Sequence, residues 1–324
     1  MVKLASAEMA EKKLATRAAF GATLAELAEE GVPVVAVDAD LTGSTTTKKF
    51  AAAAPENADK LFNCGIAEQN MIDVAAGLAL TGHVAYTGSF AVFGTGRAYD
   101  QIRNTVCYSN LDVKICPTHA GVSVGPDGGS HQMLEDVSLM RRLPNMRVLV
   151  PADYAAARAA IKLAAKTPGP VYVRMGRAAV PCVYDDDVEL EIGRAYVLRE
   201  GSDATVVACG VEIREALAAA DMLAEEGVSI EVIDAFSVKP LDEDTITASV
   251  AKTGCCVVAE EHSVHGGLGS AVAECLARKN PAPCEFVGVQ DRFGKSGEFE
   301  ELLGYFNLDA AAIVEAVKRA RGRK

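Results

Sequence analysis

Along most of the chain, short apolar runs alternate with longer segments whose apolar residues recur at helical spacing. The runs at 33–37, 83–89, 112–116, 146–150 and 171–174 are bounded by polar or turn residues and predict strands. The Ala-rich segment 154–166, closed by Thr167-Pro-Gly169, predicts a helix just before the last of these. Short, continuously apolar strands separated by helices belong to parallel sheets covered on both faces. Between 178 and 192 the pattern lapses around Pro181 and the acidic run Asp185-Asp-Asp187, which reads as a linker. A second alternating set follows, with strands at 204–209, 229–233, 255–260 and 285–289 and helices at 212–226, 268–278 and 310–321. The expectation is an α/β chain of two domains, 1–188 and 189–324, each a mostly parallel sheet with helices on both faces.

Composition narrows the function classes. Half of the 324 residues are hydrophobic, which excludes a disordered chain. Lys and Arg number 32 against 44 Asp and Glu, a net charge of −12 that disfavours general nucleic-acid binding. No run approaches the roughly 18 apolar residues of a membrane helix, and the charged, amphipathic residues 1–30 do not read as a signal peptide. The nine cysteines are odd in number and lack framework spacing, which predicts reduced thiols and a cytoplasmic location.

Four segments carry candidate chemistry. Cys64-Gly-Ile-Ala-Glu-Gln-Asn70 places the carboxyl of Glu68 at a helix start, where a favourable dipole contact is the plainer explanation. Ser89-Phe-Ala-Val-Phe-Gly-Thr-Gly96 follows a strand, so Phe90 and Phe93 can project at the carboxyl edge of the sheet, where open α/β sheets bind ligands. A flat apolar wall beside a buried carboxyl suits a heteroaromatic ring with one basic nitrogen. Thr118-His-Ala-Gly-Val-Ser-Val-Gly-Pro-Asp-Gly-Gly-Ser-His131 is a glycine-rich loop from which His119, Asp127 and His131 can converge on a polar substrate. Cys116 and His119 have C-x2-H spacing without a fourth ligand, so no metal site is expected. Glu260-Glu-His-Ser-Val-His-Gly-Gly-Leu-Gly-Ser270 is read as a turn able to cradle an anion at the following helix N-terminus.

Together these segments resemble the C-terminal half of transketolase, a thiamine-diphosphate enzyme, over nearly the whole chain. The carriers are Ala15-Thr-Arg17, Asp40-Leu-Thr-Gly-Ser44, Gly65-Ile-Ala-Glu68, Phe90-x-x-Phe93, the 119–131 loop and Phe293-Gly-Lys-Ser-Gly297. The resemblance implies a pyrimidine-binding domain followed by the family's C-terminal domain, which mainly serves assembly. The Gly-Asp-Gly stretch of the family's diphosphate-binding half is not found, which implies one subunit of a split enzyme, working with a separate diphosphate-binding subunit in a heterotetramer with a homodimeric core.

The resemblance further implies transfer of a two-carbon ketol unit between sugar phosphates in the pentose phosphate pathway, with Mg2+ held mainly by the partner. Glu68 would hydrogen-bond the aminopyrimidine and favour its imino tautomer, Phe93 would stack on the ring beside Phe90, and Asp40 would lie near the cofactor at a subunit interface. His119 and His131 would contact sugar oxygens, as catalytic residues with Glu68, and Asp127 the C2 hydroxyl. Arg17, Ser44 and Arg177 would bind the phosphate, with Arg174 a possible substitute for Arg177. Gly96 stands where the family often has a third aromatic. Two other thiamine enzymes come near. 1-Deoxyxylulose-5-phosphate synthase shares the Gly-Ile-Ala-Glu-Gln and Arg97-Ala-Tyr-Asp-Gln101 runs but usually has an arginine at the His119 position, and 2-oxo-acid dehydrogenase beta subunits usually lack the Asp-Gly-x-x-His loop.

Overall fold

Residues 2–324 are described by the structure, a computed structural model. Its larger sheet has seven strands in the spatial order Ser237–Lys239, Arg147–Leu149, Val171–Val173, Val113–Ile115, Val84–Gly88, Val34–Asp38 and Leu61–Asn63. Neighbours run parallel except at the Ser237–Lys239 edge. The smaller sheet has five, in the order Cys284–Val289, Cys256–Ser263, Ala204–Ala208, Ile230–Asp234 and an antiparallel Tyr196–Arg199 edge. This is the expected architecture of two mostly parallel sheets, and its cause is visible in the strands. Val34–Asp38 is buried at every position. Val34 and Ala36 enter one core with Phe20 and Leu24 of helix Ala18–Glu29, while Val35 and Val37 enter another with Met71 and Ile72 of helix Glu68–Leu80. Side chains that alternate faces and are apolar on both need a helix on each side.

Three features depart from the reading of the sequence. Strand Ser237–Lys239 leaves the second unit and extends the first sheet, so the two are joined by more than a linker. Within the expected linker, Ala179–Pro181 pairs with Lys13–Ala15 in a two-stranded ribbon. The predicted anion cradle is filled from within: the Glu260 carboxylate accepts the Leu268 and Gly269 N–H groups at 2.8 Å each. The helix Leu268–Lys279 therefore receives its negative charge from the strand before it, not from a ligand. All nine cysteines are free thiols, and no helix among the described residues is long and apolar enough to cross a membrane.

Candidate active site

Five strands of the larger sheet deliver their following residues to one edge. Val34–Asp38 leads to Asp40, Leu61–Asn63 to Glu68, Val84–Gly88 to Phe90 and Phe93, Val113–Ile115 to His119, and Val171–Val173 to Arg177. Parallel strands put all their carboxyl ends on the same side, so residues far apart in sequence meet there. Arg17 joins them from the start of helix Ala18–Glu29.

Glu68 is the first residue of its helix, and its side chain is 1% exposed. The Arg97 guanidinium donates to its Oε2 at 2.7 Å and lies over the Phe93 ring, 4.7 Å from the centroid. Arg97 closes a wide helical turn, Val92–Arg97, that starts two residues after Phe90. Phe90 and Phe93 stack at 6.2 Å with 15° between their planes. His119 stacks on Phe90 at 3.8 Å, and His131 meets the Phe93 ring edge-on at 5.3 Å. The result is an aromatic wall with the buried carboxyl and His131 by Phe93 and His119 by Phe90.

His119 is buried in the left-handed backbone region, φ +60°, with Thr118 Oγ1 at 2.7 Å from its Nδ1. Burial, and then the positive charges of Arg17 and Arg177 with His131, push its pKa down to about 3. At neutral pH it is a neutral imidazole, able to donate or accept one hydrogen bond to a sugar oxygen. Arg17 also feels the charge of Arg177: burial first, and then Arg177, lower its pKa. Arg17 donates to the Ser44 backbone oxygen at 2.7 Å, and Arg177 to the Val124 oxygen. Guanidinium groups suit anionic ligands, because the planar fork can bind two oxygens.

The other expected residues differ in their surroundings. Asp127 and Asp40 are exposed. Asp127 makes no side-chain hydrogen bond among the described residues, while Asp40 is held by Asn63, whose Oδ1 accepts its N–H at 3.1 Å. Ser44 contributes a carbonyl to Arg17. Arg174 is a poor substitute for Arg177, because it forms a two-pronged ion pair with buried Asp136, Nε to Oδ2 at 2.7 Å and Nη2 to Oδ1 at 3.2 Å. Several supporting residues escaped the sequence reading. Asp38 accepts from Thr45 Oγ1 at 2.7 Å, Thr47 Oγ1 at 2.9 Å and Leu41 N–H at 2.6 Å, fixing the turn that carries Asp40 and Ser44. Arg97 lies four residues after Phe93, one helical turn away, and that spacing was the available signal. Glu261 follows Glu260 after the apolar start of its strand, and two adjacent acids there had to face opposite ways.

Comparison with known proteins gives this geometry its lineage. The family model for the transketolase pyrimidine-binding domain matches residues 12–183, and that for the transketolase C-terminal domain matches 193–313. A putative transketolase C-terminal section from Methanocaldococcus jannaschii is 45% identical over 93% of this chain and 94% of its own length. A 6-deoxy-6-sulfo-D-fructose transketolase subunit from a Clostridium species is 42% identical over 93% of this chain and 92% of its own. Among solved structures, a split-gene transketolase described as an inactive beta4 tetramer superposes with a TM-score of 0.88 at 48% identity, covering 97% of this chain and all of that one. With both domains matched in order and relatives of equal length, the chain belongs to the transketolase family as a C-terminal subunit of the split type.

Proposed function

We propose that this chain carries the pyrimidine-binding half of a thiamine-diphosphate site and transfers a two-carbon ketol unit between sugar phosphates, in complex with a separate subunit that binds the diphosphate and Mg2+. The observation that carries the reading is the pairing of Glu68 with Arg97 against Phe93. A planar group with an N–H already rests on the aromatic face and donates to the buried carboxyl. Those are the two contacts an aminopyrimidine needs, so the residues fit the cofactor. Glu68 and Phe93 hold the ring, with Phe90 behind, and Glu68 shares a proton with the ring nitrogen. When bound, the cofactor supplies the carbon nucleophile and electron sink that the protein lacks.

The remaining residues sort along the substrate. His131, and His119 as a neutral imidazole, bind and orient the sugar oxygens and shuttle the proton of the hydroxyl undergoing carbon–carbon cleavage. Asp127 reads the C2 hydroxyl, and Arg17 with Arg177 takes the terminal anion. The Clostridium relative's name points to a sulfonated sugar, and the same pair of guanidinium groups suits either a phosphate or a sulfonate. Transketolase-named relatives of equal length favour this reading over the synthase and dehydrogenase alternatives.

The test is reconstitution. The purified chain alone is expected to bind thiamine diphosphate weakly and to show no ketol transfer, and adding a diphosphate-binding transketolase subunit with Mg2+ should restore both. Full transfer activity from this chain by itself would overturn the split-subunit assignment.

A further inference from the structure

The second domain reaches the 119–131 loop through a buried acid. Strand Cys256–Ser263 carries Glu260 and Glu261, both buried, on opposite faces. Glu260 caps a helix of its own domain. Glu261 turns to the first domain, where its Oε1 accepts the Ser123 N–H at 2.5 Å. Arg174, anchored on Asp136, lies 3.8 Å from the other carboxylate oxygen and donates to the Glu261 carbonyl at 2.9 Å. Gly121 passes over this carboxyl so closely that an added Cβ would overlap it, and its φ of +78° is one that side chains rarely adopt. His119, also at positive φ, is two residues away.

We propose that Glu261 is a positioning residue for the sugar site: by holding Ser123 and Gly121 it sets the backbone path that aims His119 at the substrate, and so makes the C-terminal domain a part of acceptor recognition. The proposal rests on the transketolase reading above. Its physical basis is that a loop with glycines at 121, 125, 128 and 129 has little preference for one path. The path must be imposed from outside. A carboxylate accepting a buried N–H is strong, and removing it leaves that N–H unpaired. At the loop's other end Gln132 plays the matching part, its Oε1 accepting the Lys295 N–H at 2.8 Å and its Nε2 donating to the Lys295 oxygen at 2.9 Å. Residues 261 and 295 both belong to the second domain, so the loop is held by it at two points.

The experiment compares Glu261→Ala, Glu261→Asp and Glu261→Gln in the chain combined with a diphosphate-binding subunit, thiamine diphosphate and Mg2+. Four measurements are made: KM and kcat for ribose 5-phosphate, the same pair for glycolaldehyde, proton–deuterium exchange at the cofactor C2, and the NMR titration of labelled histidine in the free chain. Glu261→Ala should raise KM for ribose 5-phosphate about tenfold or more. Its C2 exchange should stay within about twofold of wild type, since Glu68 is untouched. His119 should titrate nearer its ordinary range as the loop loosens. Glu261→Gln keeps an oxygen for Ser123 and should recover most of the KM. Glu261→Asp draws the carboxylate back and should behave like the alanine variant, and it serves in place of Glu261→Ala if that chain does not fold. Equal losses in C2 exchange and with both acceptors, or an unchanged KM with an unchanged His119 titration, would overturn the positioning role. A wild-type complex showing neither exchange nor transfer would overturn the transketolase reading itself, and with it this proposal.

Discussion

At Glu68 one carboxyl group has two possible partners, the Arg97 guanidinium 2.7 Å away and, in the proposed function, the cofactor ring. Burial makes the choice of partner matter. A buried carboxylate without a donor loses its hydration and regains nothing, so some group must always face it. Glu68→Gln tests its chemical role with little structural cost, because the amide oxygen still accepts from Arg97. Proton–deuterium exchange at the cofactor C2, measured in the reconstituted complex, should fall about 100-fold or more, in the range of lost acid–base assistance. The melting temperature of the free chain should hardly move. An exchange rate equal to that of the wild type would remove Glu68 from proton transfer.

Among the elements, one tightly constrained contact is the crossing of the 128–132 segment with the 293–297 segment. Gly129 and Gly294 face each other there. A Cβ on Gly129 would lie 2.7 Å from the Gly294 oxygen, and one on Gly294 would overlap Gln132 Oε1. These glycines are needed for close approach, and the Gln132–Lys295 hydrogen-bond pair forms only because of it. Gly294→Ala should therefore destabilise the chain by about 1–3 kcal/mol, as overpacking does. Combining it with Gln132→Ala should cost less than the sum of the two single variants, since the obstructed side chain is gone. Additive losses in urea unfolding would show that the clash is relieved elsewhere.

Across the whole molecule, the seam between the two sheets is rich in buried acids. Tyr184 follows the 179–181 ribbon strand, and its hydroxyl donates to Asp234 Oδ2 at 2.6 Å on a strand of the second sheet. Burial first, with Asp153 adding to it and the Tyr184 bond opposing, pushes the Asp234 carboxyl up to about 7. An unfolded aspartate titrates near 3.9, so between about pH 4 and 7 the folded state binds the extra proton. Its contribution is thus present at low pH and lost as pH rises through that window. Asp234→Asn keeps an acceptor for Tyr184 and removes the titration. The variant's unfolding free energy relative to wild type should be higher at pH 8 than at pH 5, by at most about 3 kcal/mol. A difference independent of pH would mean that Asp234 is not protonated in the folded chain.

Local pattern was sufficient for much of this protein. Short, largely apolar runs such as 33–37 and 204–209 read as strands covered on both faces, and the alternation with helices implies parallel sheets whose carboxyl edges can carry a site. Glu68 at a helix start and Phe90 and Phe93 after a strand were legible for the same reason, since each role depends on its own segment. The short edges Leu61–Asn63 and Ser237–Lys239 were not legible, because three residues are too few to show a period and hold only by pairing with a neighbour. Nor was the fate of the charged groups. Whether Arg174 meets phosphate or Asp136, whether the helix at Leu268 awaits an anion or takes Glu260, and whether Glu261 props the loop under His119 depend on residues 38 to 138 positions apart or on the strand's facing. Charge and spacing give a side chain its chemistry, but the partner that satisfies it is chosen only when packing removes water and leaves one group within reach.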